Sequence, residues 1–157
     1  MKESYKLAEL HAVGRITIYR GLPGAGKSTE ALRDVRRTGA IFVEPDALLI
    51  RKGEYIYTPE AFFYAQRLAL SMVTLAGEAG CDVIYADVLP RRQDVDEVIR
   101  AYDRGRGGAV YPPLKVRVFH LAISAEESLE ANRHHVAEED IRRMERDWEA
   151  WLGEVIL

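Results

Sequence analysis

The stretch Gly21-Leu22-Pro23-Gly24-Ala25-Gly26-Lys27-Ser28-Thr29 limits most severely what this chain can fold into. It fits G-x-x-x-x-G-K-[ST] in full. Before it stands Arg15-Ile16-Thr17-Ile18-Tyr19-Arg20, a short β-branched run bounded by Gly14 and Gly21 that reads as a strand. Behind it, residues 28–37 have helical composition and end near Gly39. Strand, glycine-rich turn, lysine, hydroxyl and helix in that order make an anion cradle. The glycines permit a tight turn that turns successive backbone N–H groups toward phosphate oxygens. The helix adds the positive end of its dipole. Lys27 supplies a mobile charge for β- and γ-phosphates, and Ser28 offers a hydroxyl ligand for Mg²⁺. Gly21, Pro23, Gly24, Ala25, Gly26, Lys27, Ser28 and Thr29 are thus the expected nucleotide-binding residues.

The remainder repeats the alternation that the loop begins. Apolar runs fall at 40–43, ending at Glu44-Pro45-Asp46, at 83–86, ending at Asp87, and at 116–121. Between them lie helical stretches. One opens at Pro59, where a first-turn proline is tolerated, and runs to about Ala79. Another spans 91–104, with Val95, Val98 and Ile99 at helical spacing. Ser124-Ala125-Glu126-Glu127 is a capping-box signature. A last, heavily charged helix is expected over 137–152, with Ile141, Met144, Trp148 and Trp151 along one stripe. Gly105 to Pro113 reads as a loop. No repeat or linker divides the chain, so residues 1–157 are expected to form one α/β domain, a parallel sheet of four or five strands with helices on both faces.

Composition narrows the setting. With 157 residues, 48% apolar and 30% charged, the chain has the balance of an ordinary globular domain, not a disordered one. A formal charge of -3 argues against a globally basic nucleic-acid coat but leaves a local basic groove open. Cys81 has no partner for an internal disulfide, which suits a reducing, cytoplasmic setting, and it is expected to be a small buried residue. Met1-Lys2-Glu3-Ser4-Tyr5-Lys6 carries charges of both signs with no apolar run after it, and no span has membrane length. Neither a secretory leader nor membrane insertion is expected. His11, His120, His134 and His135 make no metal spacing with the cysteine, so no structural zinc is expected.

What happens to the phosphate depends on the other strand ends, because ligands of open α/β sheets bind beyond them. There is no Asn-Lys-x-Asp stretch of the guanine-reading kind and no acidic pair closing an apolar strand. Elimination favours a kinase acting on a small substrate or a polymer end. Asp46 follows the second strand, where a carboxylate can take the proton of an attacking hydroxyl. Glu44 is a rival for that role, and Asp46 can also cap a helix. Asp87 closes the third strand, positioned to hold a Mg²⁺ water or orient an arginine. Arg91 and Arg92 either bind acceptor phosphates or begin a solvated helix. Arg104-Gly105-Arg106-Gly107-Gly108 reads as a surface loop before a nucleic-acid contact. Tyr55 or Tyr57 can stack a base, whereas Phe62 and Phe63 are expected in the core and Trp148 and Trp151 are expected to pack the last helix.

The Gly-x-Pro-Gly-Ala-Gly-Lys-Ser-Thr loop resembles that of phage-type polynucleotide 5′-kinases and their relatives among small P-loop kinases of the adenylate-kinase-like group. Glu54-Tyr55-Ile56-Tyr57-Thr58 is similar to the stretch after that family's catalytic aspartate. The likeness extends to the strand ending in Asp87, and to Asn132-Arg133 ahead of Val136-Ala137-Glu138-Glu139, where such kinases keep a lid. The resemblance implies an ATP or GTP donor with Mg²⁺ and transfer of the γ-phosphate to a 5′-hydroxyl of a polynucleotide or nucleoside. It implies Asp46 as general base, Asp87 as acceptor support and a lid arginine on the donor phosphates, Arg133 first, with Arg142 and Arg143 as rivals. Lys27, Asp46 and Arg133 are then catalytic, and Asp87, Arg51, Arg91 and Arg92 serve the acceptor. Two departures stand out. Leu49 occupies the position of an acceptor-binding arginine, with Arg51 the nearest replacement, and His134 and His135 fall in the lid. Alternatives are a P-loop kinase of a sugar, antibiotic or other small alcohol, and a nucleotide-binding adaptor with slow hydrolysis.

Overall fold

The computed structural model describes residues 14–108 and 113–157; the absent leader read at Met1–Lys6 and the tip of the 105–113 loop lie outside them. Strand β1 (Arg15–Arg20) is buried along nearly its whole length on both faces, as the centre of a parallel sheet must be. It pairs in parallel with β5 (Val83–Asp87) on one side and β6 (Lys115–His120) on the other. Strand β2 (Ile41–Val43) adds outside β5, and a short β7 (Val155–Ile156) adds outside β6, giving five parallel strands in the order β2-β5-β1-β6-β7. A two-stranded hairpin, β3 (Ile50–Arg51) with β4 (Glu54–Tyr55), stands apart.

Period-two alternation sorts the strand side chains into two cores. Ile16, Ile18, Val83, Tyr85 and Val118 pack with Val73 of α2 (Pro59–Glu78) and with Val95, Val98 and Tyr102 of α3 (Arg92–Gly105). Tyr19, Ile84, Ala86 and Leu121 cluster on the opposite face with Ala31 of α1 (Lys27–Thr38). Helix α1 ends at Gly39, whose left-handed φ of 72° lets its N–H reach Val35 O at 2.8 Å. Helix α2 begins as the sequence suggests, with Pro59 in its first turn and Thr58 Oγ1 accepting from Ala61 N at 3.0 Å. The α2–α3 crossing is so close that a Cβ on Gly105 would lie 1.9 Å from Thr74 O. Short α4 (Ala125–Glu130) carries the capping box: Ser124 Oγ accepts from Glu127 N at 3.1 Å, and Glu127 Oε2 accepts from Ser124 N at 2.8 Å.

The last helix is shorter than expected. Helix α5 runs Glu138–Arg146 and then the chain leaves helical geometry. The cause is Arg20, fully buried at the carboxyl end of β1. Its Nη1 donates to Glu149 O and Glu154 Oε2, and its Nη2 to Pro90 O and Glu149 O, all at 3.0 Å. Trp148 covers the guanidinium at 4.3 Å and stacks on His120 at 4.4 Å. The carbonyl of Glu149 thus serves the arginine, the backbone unwinds around it, and β7 is delivered to the sheet edge. Trp148 and Trp151 do pack, but from this irregular segment, Trp151 Nε1 donating to Asp96 Oδ1 at 3.0 Å. Three other expectations change: Phe62 and Phe63 are 37% and 55% exposed instead of core, and Cys81 is only partly buried. No described helix is long and apolar enough to cross a membrane.

Removing a buried charge's counterpart leaves the survivor uncompensated. Arg20→Ala is expected to cost about 3–5 kcal/mol. Glu154→Gln, which leaves the three carbonyl bonds, is expected to cost less. Urea denaturation of both variants checks the order.

Candidate active site

The loop between β1 and α1 is braced from outside itself. Ser128 Oγ of α4 donates to Pro23 O at 2.6 Å, and a Cβ on Gly24, which has a φ of +81°, would lie 2.6 Å from Ala131 Cβ. Gly26 closes the turn at a φ of 89°, a left-handed conformation that glycine takes without strain. Lys27 Nζ folds back to donate to Gly21 O at 2.9 Å and Leu22 O at 3.0 Å. Burial pushes the Lys27 ammonium below its ordinary range, and the nearby Asp87, Asp46 and Glu44 oppose that shift. The Ser28 hydroxyl donates to Glu44 Oε1.

Three carboxylates therefore converge on one lysine. Asp87 is the last residue of β5, in register with Arg20 of β1. Its Oδ2 accepts from Gln66 Nε2 of α2 at 2.9 Å, and its Oδ1 from the backbone N–H of Val88 at 2.8 Å. Burial pushes the Asp87 carboxyl up to about 6; Asp46 adds to the shift, while Gln66, Val88 and Lys27 counter it. Asp46 lies in a 3-10 turn over Pro45–Leu49, directly after β2. The Tyr55 hydroxyl donates to Asp46 Oδ1 at 3.3 Å, and the ring of Tyr55 meets that of His134 at 4.3 Å. Burial and the Asp46 charge both push the Tyr55 hydroxyl up, so it stays a donor at neutral pH.

Of the residues singled out in the sequence, Lys27, Ser28, Glu44, Asp46, Asp87 and Tyr55 share this site. Arg91 and Arg92 do not face it. Arg91 Nη2 donates to Asp147 Oδ2 at 3.1 Å, and Arg92 Nε to Ala150 O at 2.7 Å, both on the C-terminal segment. Arg51 is exposed on the hairpin. Arg133 is exposed in the 131–137 loop, which Asn132 pins by donating to Val136 O at 2.6 Å and accepting from Val136 N at 2.9 Å. Arg142 is engaged by Glu126 and Glu138, and Arg143 by Asp140. Leu49 is 3% exposed, an apolar plug beside the acids. Sequence reasoning missed Gln66; its signal was a polar residue beside Ala65 and Ala69 on the buried face of an apolar helix. It also missed Arg20, an arginine closing a central strand.

Among the described residues no group of three or more His, Cys, Asp or Glu side chains is arranged to hold a metal ion. A nucleotide-borne Mg²⁺ asks for less, since it takes most of its oxygens from phosphates and water. The hydroxyl of Ser28 against the carboxylate of Glu44 is a hard-oxygen pair of that kind.

No protein-family model matches the sequence, and no curated protein matches it. Solved structures share the fold. A sugar kinase from Janibacter sp. HTCC2649 is 20% identical with a TM-score of 0.60, over 91% of this chain and 84% of that one. A gluconokinase from Sinorhizobium meliloti 1021 is 15% identical with a TM-score of 0.60, over 92% and 82%. A chain of the Pnkp1/Rnl/Hen1 RNA repair complex is 16% identical with a TM-score of 0.67, over 87% of this chain but 44% of that one. At these identities the likeness shows the fold alone.

The raised Asp87 fixes a sign. The folded chain holds this proton more tightly than the unfolded chain does, so stability is full below the ordinary carboxylate range and falls as pH climbs toward 6. Asp87→Asn is expected to remove that fall and gain about 1–2 kcal/mol at pH 7.5. Urea denaturation across pH 4–8 reads it.

Proposed function

We propose that this chain transfers the terminal phosphate of a nucleoside triphosphate to the hydroxyl of an alcohol. The observation that carries the reading is Lys27, held by its own loop carbonyls in the field of Asp87, Asp46 and Glu44. Donor phosphates draw Nζ away from Gly21 O and Leu22 O and take the backbone N–H groups of the loop. Ser28 and Glu44 would hold the accompanying Mg²⁺, which would supply positive charge at the migrating phosphoryl group. Asp46 takes the proton of the acceptor hydroxyl as its oxygen bonds to phosphorus and the bridging P–O bond breaks, releasing the nucleoside diphosphate. Arg133, exposed over the 131–137 loop, is the positive charge for the donor's β- and γ-phosphates once that loop settles on them.

Two acceptor readings differ in charge. A 5′-hydroxyl of nucleic acid has the fold likeness to the RNA repair chain behind it. A small alcohol has the likeness to the sugar kinase and gluconokinase, and a specific observation favours it: Arg91 and Arg92 are spent on the C-terminal segment. A slow-hydrolysing adaptor has no use for a carboxylate pair at the acceptor end. Donor supply and the lone Cys81 both suit the cytoplasm.

Two variants test the activity. With γ-labelled ATP and GTP and a mixed pool of alcohols, Asp46→Asn is expected to slow transfer about 10²–10⁴-fold while donor affinity holds. Lys27→Met is expected to lose donor binding, read by titration with a fluorescent nucleotide. Undiminished transfer by Asp46→Asn sinks the general-base assignment, and hydrolysis without transfer to any alcohol sinks the kinase reading.

A further inference from the structure

The acceptor end of the site has an unusual charge balance. Asp46 and Asp87 are close enough for each to act on the other's neighbourhood: Asp46 raises Asp87, and both raise Tyr55. Yet each is held by a neutral donor, Asp46 by the Tyr55 hydroxyl and Asp87 by the Gln66 amide and the Val88 N–H. Among the described residues no guanidinium is seen hydrogen-bonded to either carboxylate. Of the arginines on nearby segments, Arg20 is buried against Glu154, Arg91 is bound to Asp147, and Arg92 is bound to a backbone carbonyl. Arg67 lies over the Phe63 ring at 5.6 Å, on the exposed side of α2. His134 meets the Tyr55 ring, not a carboxylate. Leu49 fills the flank of the 3-10 turn with hydrocarbon.

Among the described residues Lys27 is the cation that stands inside this group. Arg51 and Arg133 are exposed on the hairpin and the 131–137 loop, and in the kinase reading Lys27 and Arg133 both serve the donor. In that reading donor phosphates would replace Gly21 O and Leu22 O as partners of Lys27, and Ser28 with Glu44 would hold the donor's Mg²⁺. Two carboxylates then remain for the acceptor with no positive charge of their own. An anionic group set within about 4–6 Å of them meets like charge in partly buried surroundings. A hydroxyl pays nothing there, and an ammonium group is attracted.

From this arrangement, and resting on the kinase reading above, we propose that the acceptor is an alcohol with no phosphate or carboxylate beside its reacting hydroxyl, and that an amine at that place strengthens binding. Polyols, nucleosides and amino alcohols fit the site; phosphorylated metabolites and nucleic-acid ends do not. Asp87 is the residue that sets the discrimination, and Gln66 positions it without neutralising it. Asp46 attracts the same amine but is bound to the chemistry, so its loss removes turnover as well.

The test uses acceptors matched in threes. Each set holds a parent alcohol, the same compound with an amine replacing a neighbouring hydroxyl, and the same compound with a phosphate on it. Sets are drawn from hexoses, pentoses, cyclitols and nucleosides, with 5′-hydroxyl oligothymidylate added, and transfer from γ-labelled ATP and GTP is followed as kcat/KM. In the set that accepts label, the amine form is expected to have the lowest KM, and the phosphorylated form a kcat/KM at least tenfold below the parent. Asp87→Asn is expected to shrink both gaps to within threefold. The proposal is overturned if a phosphorylated alcohol or the oligonucleotide is the preferred acceptor, or if Asp87→Asn leaves the discrimination intact. Those outcomes leave the kinase reading standing. Label on no acceptor, with donor hydrolysis intact, takes both down.

Discussion

Arg20 is buried at the carboxyl end of the central strand, and much of the molecule is arranged to satisfy it. A guanidinium out of water needs partners in several directions, since its desolvation costs several kcal/mol. It finds them in the loop after β5, through Pro90 O, and in the C-terminal segment, through Glu149 O and Glu154. That demand ends α5 early, lays Trp148 over the charge and brings Val155 and Ile156 alongside β6. It reaches the site as well. The residues after Pro90 are Arg91 and Arg92, and once Pro90 is tied to Arg20 both arginines lie against the same segment. Their side chains are thereby tied to that segment and not to Asp46 or Asp87.

What is left there is a cluster of opposite charges in unequal number. Register places Arg20, Asp87 and His120 side by side at the ends of three adjacent strands, and Asp46 and Glu44 follow the fourth. Lys27 stands among the acids, destabilised as a cation by burial and supported by their field. Asp87 carries a standing cost at neutral pH, a charge that burial opposes and two neutral hydrogen bonds only partly relieve. Such a group is more readily understood as part of a binding site than as part of a stable scaffold.

Local chemistry made much of this legible. The phosphate loop, the start of α2 at Pro59, the end of α1 at Gly39 and the capping box at Ser124 are each written in residues close together in the chain, where the physics is also local. Asp46 and Asp87 were visible because each ends an apolar run, and strand ends are where open sheets bind ligands. The misreadings share the opposite property. Gln66 is ordinary until α2 crosses over Asp87. Phe62 and Phe63 follow a core pattern, yet the crossing of α2 and α3 turns Ala65, Ala69 and Val73 inward in their place. The charged stripe over 137–152 is a fair helix by periodicity, and it ends at Arg146 because of an arginine more than a hundred residues earlier.

By itself, then, the order of residues determined that this chain has a glycine-rich turn between a strand and a helix, that strands alternate with helices around it, and that acids follow the neighbouring strands. These follow from spacing, turn chemistry and hydrophobic period, which act over a few residues. Only the tertiary structure decided which partners Asp46 and Asp87 find. Whether an arginine cancels an aspartate depends on what else competes for that arginine across the fold. Here Arg91 and Arg92 lie with the segment that satisfies Arg20, while Asp87 is left to a glutamine.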